Sequence, residues 1–216
     1  MDLAGEPMLV RVIERTRRAA KLDEVVVATT TKPADDPIVE ICGAHKWPWI
    51  RGSESDVLDR YYQAARIHRA DIVVRVTSDC PLIDPDIIDT HVNLMLARWH
   101  EVDFVTNMMR QTFPLGLAVE VMPLDTLDRL WRLSTTDYLR EHVTTLIYEK
   151  PELFVVAHVL NDTDLSAMRW TVDTPKDLVL IRRVYEHFRH SDFSWRDVLA
   201  AAKQHPEWSD MDRPTE

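Results

Sequence analysis

The sequence predicts an α/β fold, a mostly parallel sheet flanked by helices, on three grounds. Helical and strand-like patterns alternate along the chain with short connections and no low-complexity linker, the rhythm that β–α–β units impose. Its strand-like runs are short and rich in β-branched residues, as in Asp71-Ile-Val-Val-Arg-Val-Thr, which suits strands covered on both faces. At 216 residues with 45% apolar content the chain buries one good-sized core, so 1–216 is read as a single domain.

The elements follow in order. Residues 7–21 carry Leu9, Val12, Ile13, Ala19 and Ala20 on one side of a helix. A strand at 24–29 leads to a helix at 36–44. Ser53-Glu54-Ser55-Asp56 opens the next helix with capping-box-like spacing, and Val57, Leu58, Tyr61, Tyr62 and Ala65 continue it. The strand at 71–77 precedes a helix at 85–99 that carries Ile87, Ile88, Val92, Leu94 and Met95. Beyond it the rhythm changes: strands at 102–107 and 116–122, helices at 123–133 and 137–149, strands at 154–159 and 168–172, and closing helices at 175–188 and 194–204.

Composition excludes several classes of function. A net charge of −10, with Lys and Arg spread along the helices, speaks against a phosphate-backbone binder, so no nucleic-acid partner is expected. No apolar run approaches eighteen residues and no signal peptide is present, so no membrane partner is expected either. Cys42 and Cys80 lie in unlike contexts; they form no disulfide framework and suit a reducing cytoplasm, with Cys42 read as a small packed hydrophobe. The seven Trp and nine His show no ligand spacing and are read as core, surface or pocket-wall residues.

Two segments carry the chemistry. Arg75-Val-Thr-Ser-Asp-Cys-Pro-Leu-Ile-Asp-Pro places Asp79 just past a strand's carboxyl end, where open α/β sheets bind ligands. Trp170-Thr-Val-Asp-Thr-Pro-Lys-Asp-Leu puts Asp173 in the same kind of place. If the two strands are neighbours, both carboxylates reach one Mg²⁺ and leave its other positions to water and phosphate oxygens. The alternative for Asp173 is a helix N-cap, since Thr174-Pro175 follows.

Together these segments resemble the cytidylyltransferases that activate acidic sugars, relatives of CMP-sialic acid and CMP-Kdo synthetases, most closely the branch of spore-coat polysaccharide enzymes. The resemblance implies a Rossmann-like nucleotide-diphosphosugar transferase fold, with CTP and a sugar acid as partners, Mg²⁺ as cofactor, and a homodimer as a possible assembly. It also implies that Asp79 and Asp173 are the catalytic metal ligands, and that the sugar-acid hydroxyl attacks the α-phosphorus of CTP with loss of pyrophosphate.

Further segments extend the resemblance over nearly the whole chain. Arg51-Gly-Ser-Glu-Ser-Asp-Val-Leu-Asp-Arg is similar to a stretch beside the family's nucleotide. On that side fall Arg51, Gly52, Ser53, Asp56 and Arg60, with Arg75, Thr77 and Ser78 from the later strand. Arg51 and Arg60 suit phosphate or carboxylate, whereas Asp59 and Tyr62 are read as parts of an ordinary capped helix. Phe113-Pro-Leu-Gly-Leu-Ala-Val-Glu-Val and Arg140-Glu-His-Val-Thr are similar to the sugar-side segments, which assigns Gly116, Glu120, Arg140, Glu141 and His142 to the sugar.

This chain departs from the family pattern in two places. Leu115 and Ala118 stand where relatives usually carry Asp. The family's opening strand and basic, glycine-containing phosphate loop are not recognised ahead of Met8-Leu9, so the domain is expected to be N-terminally truncated relative to the family, with a central sheet edge left unpaired. Two other classes stay open: a non-catalytic or degenerate nucleotide- or sugar-binding relative, and a metal-dependent glycosyltransferase of the same fold, which Ser78-Asp79-Cys80 disfavours because it lacks an Asp-x-Asp pair.

Overall fold

The chain enters through a short hairpin, β1 (Asp2–Leu3) and β2 (Glu6–Pro7), whose turn residues Ala4 and Gly5 both take positive φ. The computed structural model describes residues 1–209. Helix α1 (Met8–Thr16) follows and stops earlier than its periodicity suggests. The Asp89 carboxylate accepts the Ala20 and Lys21 N–H groups at 2.9 and 2.8 Å, withdrawing them from helical pairing.

Strands β3 (Val27–Thr30) and β4 (Trp49–Gly52) pair in parallel, joined by α2 (Asp36–His45). Sequence periodicity does not reveal β4, which has only four residues. After α3 (Val57–Ile67), a second sheet is assembled from β5 (Ile72–Arg75), β6 (Phe104–Thr106), β7 (Glu120–Pro123) and β8 (Val156–His158), in the order β5-β7-β6-β8. β7 is antiparallel to both neighbours and β6 is parallel to β8. Three of these four strands therefore share a direction, as the mostly parallel reading requires, and β7 is the reversed one.

Adjacent residues of this sheet point into different cores, as a period of two demands. Val105 and Val121 join one cluster with residues of α1, α4 (Pro85–Ala97), α8 (Pro175–Phe188) and α9 (Trp195–Gln204). Phe104 and Met122 join the other with α3, α5 (Leu124–Leu133) and α7 (Thr145–Glu149). Helices thus cover both faces. A short α10 (Pro206–Ser209) ends the described part.

Two expected elements change form. The helix expected at 137–149 is split into α6 (Asp137–Glu141) and α7, because Val143 between them is left-handed at φ 50°. The strand expected at 168–172 forms no ladder; it makes one isolated bridge, between Leu115 and Arg169, and otherwise serves the site described next.

Candidate active site

Asp79 sits in a turn after β5, with Cys80 N–H bonded to the Thr77 carbonyl at 3.2 Å. The second motif lies against this turn. Val172 N–H and the Thr171 hydroxyl both donate to the Asp79 carbonyl, at 2.8 and 3.1 Å. The two carboxylate-bearing segments are therefore fastened to each other through the Asp79 carbonyl, and not as neighbouring strands of one sheet.

The N-cap alternative for Asp173 is removed by geometry. Thr174 is the N-cap of α8, in a capping box with Asp177, so the Asp173 side chain is not used in capping. It is exposed and forms an ion pair with Arg169, which also holds Asp177 at 3.1 Å. Hydrogen bonding to Asp177 raises the pKa of Arg169, and the Asp177 carboxyl is held down by Arg169 and the capping N–H groups against the opposing effect of burial. The Asp79 carboxylate, half-buried, meets only the Cys80 thiol, at 3.5 Å. Burial, with the nearby Asp79 charge, pushes that thiol up to about 12 and keeps it protonated, so Cys80 is a packing residue.

Between β3 and β5 lies a cavity of about 1140 Å³. Thr29, Thr30, Asp35, Arg60, Arg75, Thr77 and Ser78 line it around the carboxyl ends of the two strands, beside Asp79. Three buried polar atoms along this lining, Thr29 Oγ1, Arg60 Nε and Arg75 Nε, have no hydrogen-bond partner in the structure. Unsatisfied donors of this kind are what an anionic or carbonyl ligand would complete. Four nucleotide-side residues, Arg60, Arg75, Thr77 and Ser78, are thus gathered in one lining.

The other four are placed elsewhere, in supporting roles. Arg51 ties down the loop after β3 through the Thr30 and Lys32 carbonyls, at 2.6 and 2.8 Å, and pairs with Asp36 at 2.8 Å. Gly52 allows the Arg60 stem to pass, since a Cβ there would stand 2.7 Å from Arg60 Cγ. The Ser53 carbonyl accepts from Arg60 at 2.9 Å. Asp56 caps α3 through Asp59 N–H at 2.9 Å and receives the Arg140 guanidinium.

On the expected sugar side two residues are held by contacts within the chain. Glu120 is only 4% exposed; it accepts Arg75 at 2.7 Å, Thr144 at 3.0 Å and Tyr148 at 2.8 Å, so it faces a closed network instead of an open pocket. Arg140 is consumed by Asp56 and by the Trp131 carbonyl at 2.8 Å. Gly116, at φ 107°, is where the 115–117 loop presses on the second motif: a Cβ would lie 2.5 Å from the Trp170 carbonyl carbon. Glu141 and His142 are exposed. Sequence reasoning missed Arg169, Thr171 and Thr29. Of these only Arg169 had a signal, its i,i+4 spacing to Asp173.

Among the described residues no group of three His, Cys, Asp or Glu is arranged to hold a metal. Asp79 and Asp173 nevertheless offer hard carboxylate oxygens on two adjoining segments, a donor set that fits Mg²⁺ held by few protein ligands and completed by water and phosphate. No described helix is long and apolar enough to cross a membrane.

Comparison with known proteins bears on the fold and the family. A family model for cytidylyltransferases matches residues 1–194. The spore coat polysaccharide biosynthesis protein SpsF of Bacillus subtilis is 26% identical over 213 residues, covering 95% of this chain and 87% of that protein. A 3-deoxy-manno-octulosonate cytidylyltransferase from an Anaeromyxobacter species is 39% identical over 100 residues, covering 44% of this chain and 38% of that protein. The structure of a cytidylyltransferase from Leptospira borgpetersenii superposes with a TM-score of 0.94 at 31% identity, covering 100% of this chain and 90% of that one.

Proposed function

The chain belongs to the cytidylyltransferase family, a family of nucleotidyltransferases, and from that premise we propose that it transfers CMP from CTP to a sugar acid with the help of Mg²⁺, for surface polysaccharide or glycan synthesis. The observation that carries this reading is the joining of the Asp79 and Asp173 segments through the Asp79 carbonyl, directly after Thr77 and Ser78, which line a cavity together with Arg60 and Arg75. A sugar-acid substrate is supported by the relative that acts on 3-deoxy-manno-octulosonate.

In the proposed reaction a hydroxyl oxygen of the sugar acid bonds to the α-phosphorus of CTP, the bond to the bridging oxygen breaks, and pyrophosphate departs while the hydroxyl proton is lost to solvent. Such a step needs alignment and charge neutralisation more than covalent help. Asp79 and Asp173 would hold Mg²⁺, which when bound neutralises charge on the phosphate oxygens. Thr77 and Ser78 offer hydroxyls at the carboxyl end of β5, and Arg75 contributes positive charge that Glu120 fixes in place. Arg169 holds the Asp173 carboxylate in place through their ion pair. A cytoplasmic location, suited by the two free cysteines, and a homodimer belong to the same proposal.

A non-catalytic nucleotide-binding reading draws on one observation, the Arg169–Asp173 ion pair that a metal must displace. Pyrophosphate release separates the two. With Mg²⁺, 3-deoxy-manno-octulosonate and other sugar acids, CTP should release pyrophosphate well above the rate with ATP or GTP. Release from no nucleotide with any sugar acid would contradict the enzymatic proposal.

A further inference from the structure

Asp79 has no strong donor to aim it. Among the described residues its half-buried carboxylate meets only the Cys80 thiol, at 3.5 Å, so its direction is set by the backbone of its turn. Every carbonyl from Asp79 to Asp84 has a donor, a complete accounting for an irregular segment. The Asp79 oxygen accepts Val172 N–H and the Thr171 hydroxyl, the Cys80 oxygen accepts Ile83 N–H at 3.0 Å, and the Asp84 oxygen accepts Ile88 N–H at 3.2 Å. The three carbonyls between are reached by side chains of α1 and α8. Tyr185 on α8 donates its hydroxyl to the Pro81 oxygen at 2.7 Å. Arg15 on α1 donates to Leu82 through Nη2 at 3.4 Å and to Ile83 through Nε at 2.7 Å.

Arg15 is fully buried, and all its hydrogen bonds among the described residues go to main-chain oxygens. Its remaining donors take the Ser191 and Phe193 carbonyls at 2.8 and 3.1 Å, and its guanidinium lies 4.5 Å from the Phe193 ring centre. Burial lowers its pKa. A cation held out of water without a carboxylate costs more than an apolar side chain of the same size. What it supplies in return is a planar fork of donors that bridges two loops at once. The second loop, at 191–193, leads into α9, and Asp84 ties the same junction from the other side by accepting Trp195 N–H at 2.7 Å. Neither Arg15 nor Tyr185 lines the cavity; both reach Asp79 through the main chain.

We propose that Arg15 and Tyr185 are positioning residues for the reaction, a carbonyl clamp that fixes the backbone from Pro81 to Ile83 and so holds the Asp79 carboxylate where it meets the cation. The effect on the cation rests on the proposed function; the clamp itself rests on the hydrogen bonds.

Two readouts on the full chain test it. Cys80 lies inside the clamped turn, whereas Cys42 is buried in a separate core, so alkylation of each by iodoacetamide, followed by peptide mass spectrometry, reports loosening of the turn against general unfolding. Calorimetry with CTP and Mg²⁺ reports the carboxylate. Tyr185→Phe and Arg15→Met should each speed labelling of Cys80 at least tenfold over that of Cys42 and weaken Mg²⁺-dependent CTP binding at least tenfold. Arg15→Lys, which keeps the charge and loses the fork, should behave like Arg15→Met. Leu127→Ala, in the core around α5, is the control for lost stability: any gain in labelling should be shared by both cysteines, with CTP affinity unchanged. Should Arg15→Met not fold, Tyr185→Phe, which removes one hydroxyl, decides the question. Unchanged Cys80 labelling in Tyr185→Phe would overturn the proposal, as would faster labelling with wild-type CTP affinity, or an equal loss of affinity in Leu127→Ala. A wild type that binds no CTP with Mg²⁺ would contradict the proposed function and with it the positioning role, while the labelling would still decide whether the clamp exists.

Discussion

Arg75 and Glu120 are direct register partners on the antiparallel strands β5 and β7, and Arg75 Nη1 donates to Glu120 Oε2 at 2.7 Å. Glu120 is further held by Thr144 and Tyr148. Burial alone would lower the Arg75 pKa, but the nearby Tyr61 and Glu120 raise it, so the charge is fixed four residues before Asp79. Removing the carboxylate leaves a buried cation unpaired. Glu120→Gln should therefore destabilise the fold by about 3 kcal/mol, and the pair Arg75→Met with Glu120→Gln should recover much of that loss. Urea unfolding of the single and double variants measures both; equal losses in the two would show that the ion pair carries no coupling.

Gly116 is required for the approach of the 115–117 loop to the second motif. Its φ of 107° and the 2.5 Å separation of a built Cβ from the Trp170 backbone make Gly116→Ala strained in two ways. A loss of about 2 kcal/mol or more is expected, read as a fall in the thermal midpoint. Because Trp170 precedes Thr171, which donates to the Asp79 carbonyl, nucleotide affinity should fall as well. A variant as stable as the wild type would place the close contact elsewhere.

His91 is buried on α4, with Nδ1 2.7 Å from the Ile87 carbonyl oxygen. Burial pushes its pKa down to about 4, against the opposing effect of that carbonyl. The unfolded chain, with an ordinary His near 6.5, takes up the proton first as pH falls. Stability contributed by neutral His91 is thus complete above about pH 6.5 and is lost between there and about pH 4. The loss is on the order of 3 kcal/mol. His91→Leu should flatten this part of the pH dependence in chemical denaturation; an unchanged slope would mean that other groups set it.

The sequence makes the candidate pair legible because both carboxylates follow short apolar runs at predicted strand ends, and the structure does join their segments. Whether Asp173 caps α8 depended on which residue takes that place, and Thr174 with Asp177 takes it. The burial of Glu120 could not be read from the chain alone. Its burial depends on β7 inserting antiparallel beside β5, a long-range pairing that no local pattern encodes. The supporting roles of Arg140 and Asp56 have the same origin, since their ion pair joins residues 84 positions apart in the chain.

The central claim is that Asp79 and Asp173 act together through one cation on CTP. Calorimetric titration of CTP in the presence of Mg²⁺, on the wild type and on Asp79→Asn and Asp173→Asn, tests it most directly. The account predicts binding that is lost on replacing Mg²⁺ with EDTA, and at least a tenfold loss of affinity in each variant with the ligand-free thermal midpoint little changed. Wild-type affinity in either variant, or CTP binding indifferent to Mg²⁺, would contradict it.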